Sequence, residues 1–265
     1  MAEKKTAIVT GAASGMGRAM ALALAEAGFA VAAVDRNATA LGTLPASILP
    51  VAADLAMADS FDTIVSAVVS AFGRIDVLVN NAGIGQAAIR GDQRRNPLRF
   101  WEVTPEHWSQ FLAVNATGPI MMSRAVLPYM LKANSGRIIT VTTSLGTMVR
   151  EGYLLYGSSK AAAESAMAVL AADLTGTGVT ANVLVPGGVT DTPLVGEMGD
   201  RSKMLRPEIM VPPLLWLVSN EAAAVSGRRF IAADWDTSVA PAQAAEAAGA
   251  PVAWLSIARM PIEPG

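Results

Sequence analysis

The chain has no cysteine and one histidine, His107, among 265 residues. The first absence excludes disulfides and thiolate metal sites, and the second leaves no histidine cluster in their place, so no metal is expected. Charge is also scarce: Asp, Glu, Lys and Arg make up 16% of the chain, against about 25% in a typical soluble protein. Net charge is -2 and the pI is near 5.5, which gives no electrostatic case for binding nucleic acid or an anionic membrane. No apolar run reaches the roughly 18 residues of a membrane span, and Lys4-Lys5 leads only into a strand-length apolar segment. These absences point to a cytoplasmic protein with neither nucleic acid nor membrane as partner. No Pro/Ser-rich linker or charge run divides the chain, so a single domain over 1–265 is expected. What is plentiful is apolar character: 52% of residues are hydrophobic and the mean hydropathy is +0.40. Much surface is then available for burial by self-association, and a homo-oligomer, tetramer or dimer, is expected.

The most informative stretch runs from Lys5 to Val34. Thr6-Ala7-Ile8-Val9 is a short apolar run closed by glycine, the pattern of a buried strand. Thr10-Gly11-Ala12-Ala13-Ser14-Gly15-Met16-Gly17 follows, opening an Ala/Leu-rich helix expected over Arg18 to Ala27. Three glycines between a strand and a helix let the backbone turn sharply and approach a ligand, and the helix start presents unpaired N–H groups to it. That is a cradle for a pyrophosphate. The helix stops at Gly28, and Phe29 to Val34 forms a second strand ending in Asp35, which completes a βαβ unit.

Strands and helices keep alternating. Strands are expected at Leu49 to Ala53, Val77 to Val79, Arg137 to Val141, Thr180 to Val185 and Arg229 to Ala233. Helices are expected at Ser60 to Phe72, from Thr104-Pro105 to Leu131, from Tyr156 to about Leu174, and over Pro212 to Ser219. The implied architecture is an α/β fold, a parallel sheet with helices on both faces and its ligand at the C-terminal strand ends. Residues 84 to 103 read as a solvated irregular loop carrying Arg90, Arg94, Arg95 and Arg99. Residues 193 to 207 read as a mobile flap. The core is expected over about 5–233, with a tail over 234–265. Within the tail Pro241 to Ala248 reads as a short helix, and the apolar Val252-Ala253-Trp254-Leu255 should pack over the site or a neighbouring subunit. His107, with no acidic or metal partner near it in sequence, reads as structural or surface.

Tyr156 and Lys160 stand four apart at a helix start and project from one face. A phenol titrates near pH 10, too high for acid–base work at neutrality unless an ammonium stabilises the phenolate, so the pair forms a general acid/base whose tyrosine should have a lowered pKa.

Taken together and in order, Thr10 to Gly17, Asp54, Asn80-Asn81-Ala82-Gly83, Asn115, Tyr156 to Lys160 and Pro186-Gly187 resemble the short-chain dehydrogenase/reductase family over about residues 5 to 233. The resemblance implies a single Rossmann-type doubly wound parallel sheet of about seven strands, a nicotinamide dinucleotide, and hydride transfer between it and a small-molecule alcohol or carbonyl substrate. It makes Tyr156 the acid/base on the substrate oxygen. Lys160 would lower the Tyr156 pKa and hold the nicotinamide ribose, and Asn115 would anchor a proton-relaying water. Gly11, Ser14, Gly15, Met16 and Gly17 would surround the pyrophosphate. Asp35 and Arg36 would meet the adenosine ribose, Asp54 and Leu55 the adenine. Asn81, Ala82 and Gly83 would serve the adenosine side and strand packing. Pro186, Gly187, Val189 and Thr190 or Thr192 would lie at the carboxamide. Asp35 favours NAD over NADP, since a carboxylate there accepts from both ribose hydroxyls and repels a 2′-phosphate; Arg36 could pair with that phosphate if Asp35 swung away. The hydroxyl that helps hold the substrate oxygen falls on Thr143 by spacing from Tyr156, with Ser144 the alternative if the strand end bulges.

The chain departs from the family's pattern in a longer segment after Gly83 and in Asp234-Trp235-Asp236, where relatives commonly have Asp-Gly-Gly. A mostly apolar wall of Met148, Val149, Tyr153, Leu154, Leu155, Leu194, Val195 and Met198 suits an apolar or aromatic secondary alcohol or ketone. Arg150 is the one nearby charge that could hold a carboxylate, although an exposed surface arginine fits it as well. Two other readings are a dinucleotide-binding protein without turnover and a dehydratase or epimerase on the same fold.

Overall fold

A computed structural model of the chain describes residues 4–93, 95–197 and 200–257. β1 (Thr6–Thr10) is buried along its length and leads through the glycine turn into α1 (Gly15–Glu26). The helix begins three residues before the expected Arg18. Gly15 and Gly17 fall inside it, and only a residue without Cβ allows position 17 to lie against the Gly11 carbonyl. Next come β2 (Ala30–Asp35), α2 (Ala38–Leu41), β3 (Leu49–Ala52), α3 (Ser60–Phe72) and β4 (Val77–Asn80). α3 stops at Gly73, whose φ of 75° is the left-handed cap that favours glycine.

Beyond the irregular segment, Thr104 caps α4 (Pro105–Leu112) by accepting from His107 N at 3.3 Å. The expected single long helix is interrupted by one π-helical turn, Ala113–Thr117, before it resumes as α5 (Gly118–Lys132). The chain continues through β5 (Gly136–Val141), α6 (Leu145–Met148), α7 (Leu154–Asp173), β6 (Val179–Val185), α8 (Val211–Leu217), β7 (Arg228–Ile231), α9 (Pro241–Ala248) and β8 (Gly249–Pro251). The segment expected as a flap is a series of short 3-10 turns, at Pro193–Val195, Arg201–Lys203 and Pro207–Met210.

Among the described residues the strands form one eight-stranded sheet in the order β3-β2-β1-β4-β5-β6-β7-β8. β1 to β7 are parallel; β8 is antiparallel to β7. Seven strands were legible. The eighth, Gly249-Ala250-Pro251, has no β-branched or aromatic residue and pairs because α9 delivers it to the open edge of β7. The tail therefore lies along the sheet edge, with Val252 in the core, and among the described residues it does not line the cavity beside Tyr156 described below.

Both faces of the sheet are covered. Ala7, Val9, Val31 and Ile139 pack against α1, α8 and α9, while Ile8, Ala32, Leu78 and Ile138 pack against α3, α5 and α7. Successive residues of one strand thus enter different cores, which is why the strands are apolar throughout and do not alternate with polar residues. Strand order reverses between β1 and β4, so the connections leaving their C-terminal ends diverge and open a crevice.

Candidate active site

The crevice floor is the glycine turn. Gly11 and Gly15 have φ of 67° and 51°. A Cβ on Gly11 would lie 2.8 Å from Ala82 Cα, and one on Gly15 2.8 Å from Thr192 Cγ2. The turn is thus wedged between the end of β4 and the segment after β6. Asn81 fixes it, donating from Nδ2 to Thr10 O at 3.0 Å and Gly11 O at 3.3 Å. Thr10 Oγ1 in turn accepts from Asn81 N and Ala82 N at 3.0 and 3.1 Å. Asn80 faces inward, donating to Pro119 O, Ser123 Oγ and Thr140 Oγ1, so it ties α5 to the sheet.

A cleft of about 410 Å³ runs over this turn, lined by Gly11, Ser14, Gly15, Met16, Asp35, Arg36, Asn81, Ala82, Gly83 and Thr192. Its inner end is a recess with Asp54, Leu55 and Val114. Asp35 is pinned, Oδ2 accepting from Ala13 N at 3.1 Å and Oδ1 from Asn37 N at 3.0 Å. Arg36 beside it is exposed. A turn that admits no Cβ, a fixed carboxylate and a recess at one end fit an elongated dinucleotide with its phosphates over the glycines.

The crevice opens at its other end into a cavity of about 240 Å³ lined by Thr143, Ser144, Tyr153, Tyr156, Pro186, Gly187, Val189, Thr190, Thr192, Leu194 and Val195, among others. Tyr156 and Thr143 both line this cavity. Ser144 is otherwise engaged: its Oγ caps α6, accepting from Thr147 N at 3.3 Å and lying 2.7 Å from Thr147 Oγ1. Lys160 Nζ is buried 6.0 Å from the Tyr156 ring centroid and donates to Val141 O at 2.9 Å. Burial pushes the Tyr156 phenol up to about 12, against a downward pull from the Thr143 hydroxyl, with Tyr153 adding to the rise. Burial likewise pushes Lys160 down to about 8. The direction is opposite to the expected lowering by Lys160: loss of solvent dominates, and one of the three ammonium donors is directed at the β5 carbonyl.

Asn115 sits in the π-helical turn, fully buried. Its Oδ1 accepts from Ile84 N at 2.8 Å, and its Nδ2 donates to Ile84 O at 3.0 Å and Ser159 Oγ at 3.1 Å. It thereby satisfies buried backbone after β4 and ties it to α7. A Cβ on Gly83 would lie 3.1 Å from Asn115 Oδ1 and 3.4 Å from Lys160 Nζ, so all three residues share one corner.

The long segment after Gly83 is not a solvated loop. Leu98 is buried with Phe111 and Leu155 behind Tyr156. Gln86 and Gln93, both buried, donate to Gly152 O, and Gln86 Oε1 accepts from Tyr156 N at 3.4 Å. Arg90 pairs with Glu102 and Arg99 with Glu151, so these cations fasten the segment. Arg94 lies outside the described residues. No pattern in the sequence marks the two glutamines, since an isolated Gln carries no periodic or capping signal.

The expected pocket wall is partly corrected too. Tyr153, Leu194 and Val195 line the cavity, whereas Val149 is 87% exposed and Leu155 faces the cluster behind Tyr156. Met148 is buried, its backbone against Gly157. Met198 lies outside the described residues. Arg150 reaches the rim, its guanidinium 5.0 Å over the Tyr153 ring. Among the described residues no group of acidic, histidine or cysteine side chains could hold a metal ion, and no helix is long and apolar enough to cross a membrane.

Residues 5–203 match the short chain dehydrogenase family. The chain is 38% identical over 192 residues to a short chain dehydrogenase of Pseudocercospora fijiensis, covering 70% of this chain and 60% of that protein. It is 34% identical over 246 residues to D-threitol dehydrogenase of Mycolicibacterium smegmatis, covering 86% of this chain and 90% of the relative. Its fold superposes on 3-ketoacyl-(acyl-carrier-protein) reductase of Brucella melitensis, crystallised with NADH, with a TM-score of 0.74 and 29% identity, over 84% of this chain and 94% of that one. With the glycine turn, the strand order and the Tyr156–Lys160 pair already in place, these likenesses establish that the chain belongs to the short-chain dehydrogenase/reductase family and is an NAD(P)-dependent oxidoreductase.

Proposed function

We propose that the chain, working as one domain with its core over 5–233, interconverts an apolar or aromatic secondary alcohol and its ketone, using NAD(H) in preference to NADP(H). The observation that carries this reading is that Tyr156 and Thr143 line one largely apolar cavity contiguous with the glycine-turn cleft. The dinucleotide, when bound, supplies or accepts the hydride. Tyr156 gives its phenolic proton to the substrate oxygen in reduction and recovers it in oxidation. A phenol displaced upward is a protonated donor at neutral pH, which suits the reductive direction. Thr143 donates a second hydrogen bond to the same oxygen, and Lys160 places a buried ammonium 6.0 Å from the Tyr156 ring centroid.

Preference for NAD(H) is supported by the pinning of Asp35. Swinging it aside to admit a 2′-phosphate would strip acceptors from Ala13 N and Asn37 N, so Arg36 gains no clear path to such a phosphate. Of the relatives, one is by name a D-threitol dehydrogenase and one a 3-ketoacyl-(acyl-carrier-protein) reductase, which supports alcohol–ketone interconversion, while the apolar character of the substrate rests on the cavity wall. The test is a panel of secondary alcohols and ketones assayed with both dinucleotides, alongside Tyr156→Phe. The variant should lose at least about a hundredfold in kcat and keep dinucleotide affinity, because it removes a proton donor and no anchor. Turnover close to that of the parent chain would sink the assignment, and a tenfold preference for NADP(H) would sink the cofactor reading.

A further inference from the structure

We propose that Glu164 and Arg229 are positioning residues for the catalytic hydroxyl: a buried ion pair that clamps the end of β5 at Thr142 and Thr143. The inference rests on the assignment of Thr143 under Proposed function. Glu164 stands one further turn along the α7 face that carries Tyr156 and Lys160, in an otherwise small and apolar stretch. Arg229 lies in the four-residue strand β7, Arg-Arg-Phe-Ile. Both are buried, at 0% and 5% exposure.

The geometry is shared among several elements. Arg229 Nε donates to Glu164 Oε1 at 2.9 Å, and its Nη2 to Thr143 O at 3.1 Å. Glu164 Oε2 accepts from Thr142 Oγ1 at 2.6 Å. Its Oε1 also accepts from Ala253 N at 3.1 Å. Ala253 has a φ of 56°, a left-handed conformation that costs a residue with a Cβ, and that turn directs its N–H at the carboxylate. The C-terminal segment thus contributes a donor to the clamp.

The bonds converge where backbone pairing stops. Thr142 N still bonds Leu184 O at 3.3 Å, and Thr143 lies just beyond. Three successive residues are then held by side chains: Val141 O by Lys160, Thr142 Oγ1 by Glu164 and Thr143 O by Arg229. Only a planar guanidinium can span a carboxylate and a carbonyl in this way, since each donor in its fork has a fixed direction. A buried ion pair is commonly no more stabilising than apolar residues of similar size, so stability alone does not account for this one.

The test compares Arg229→Lys with the apolar pair Glu164→Leu/Arg229→Met, since removing one charge alone leaves the other buried and unpaired and can prevent folding. In both variants kcat should fall about tenfold or more, the effect of losing a charged hydrogen bond that holds the reacting geometry. NADH affinity, read by fluorescence, should stay within about twofold of the parent and KM should change little. Amide hydrogen exchange in residues 141–148 should accelerate while the β1 and β2 peptides keep their protection. Folded variants with parental kcat, or with unchanged exchange at that strand end, overturn the inference. A parent chain that turns over nothing in the panel would count against the proposed function, and the exchange measurement would still decide whether Arg229 holds Thr143.

Discussion

Thr143 and Ser144 are adjacent hydroxyls with different partners, so substitution separates their roles. Thr143→Val should cost roughly 1.5 to 3 kcal/mol of transition-state stabilisation in kcat/KM, the order of a hydrogen bond to a charged group. Ser144→Ala should instead cost about 1 kcal/mol of stability through the lost α6 cap, with kcat nearly kept. The reverse result would mean that Ser144, and not Thr143, holds the substrate oxygen beside Tyr156. Lys160 carries a different conflict. Its displacement from 10.5 to about 8 corresponds to roughly 3 kcal/mol of penalty for burying the ammonium. The folded pKa lies below the unfolded one, so the penalty is fully felt below pH 8 and is relieved as pH rises toward 10.5. Lys160→Met should therefore abolish turnover and yet raise stability by about 2 kcal/mol at pH 7, after the lost bond to Val141 O is discounted. That gain should shrink through pH 8 to 10.5, and thermal denaturation of both proteins across this range checks it; a gain that grew with pH would contradict the burial argument.

Elements with local punctuation are legible from the sequence. α3 runs from Ser60 to Phe72 as read, because the apolar spacing and Gly73 mark it, and α9 runs from Pro241 to Ala248 for the same kind of reason. β8 is different: its pairing with β7 depends on a strand twenty residues away and not on its own composition. Removing everything after Ala240 tests what that edge contributes. The truncation strips the antiparallel partner from β7, takes Val252 out of the core and withdraws the Ala253 donor from Glu164. Stability should drop by roughly 2 to 4 kcal/mol, most of it apolar burial, and kcat should fall with it. A truncated chain with unchanged melting temperature and kcat would show that the tail supports neither sheet nor site.

For the whole molecule, low charge combines with exposed apolar side chains on the outer helices: Trp108 on α4, Tyr129 and Leu131 on α5, and Val169 on α7. Scattered exposed apolar residues are ordinary, but with 16% charged residues the chain has little polar surface to keep copies apart. We expect a homo-oligomer, a dimer or tetramer, and sedimentation velocity at micromolar concentration checks it; a monomer there would rule it out. The sequence by itself determined the alternating βαβ plan, the glycine turn, Asp35 at the end of β2 and the Tyr156–Lys160 spacing. Each of these is carried by a few neighbouring residues through backbone freedom, capping or helical period. Only the tertiary structure decided that Ser144 caps a helix beside Thr143 in the cavity of Tyr156, that Gln86 and Gln93 lock the long segment against Gly152, and that Glu164 receives Arg229 and Ala253 from 65 and 89 residues away. Such bonds join buried polar groups whose partners are set by how the sheet is wound, and no local pattern announces them.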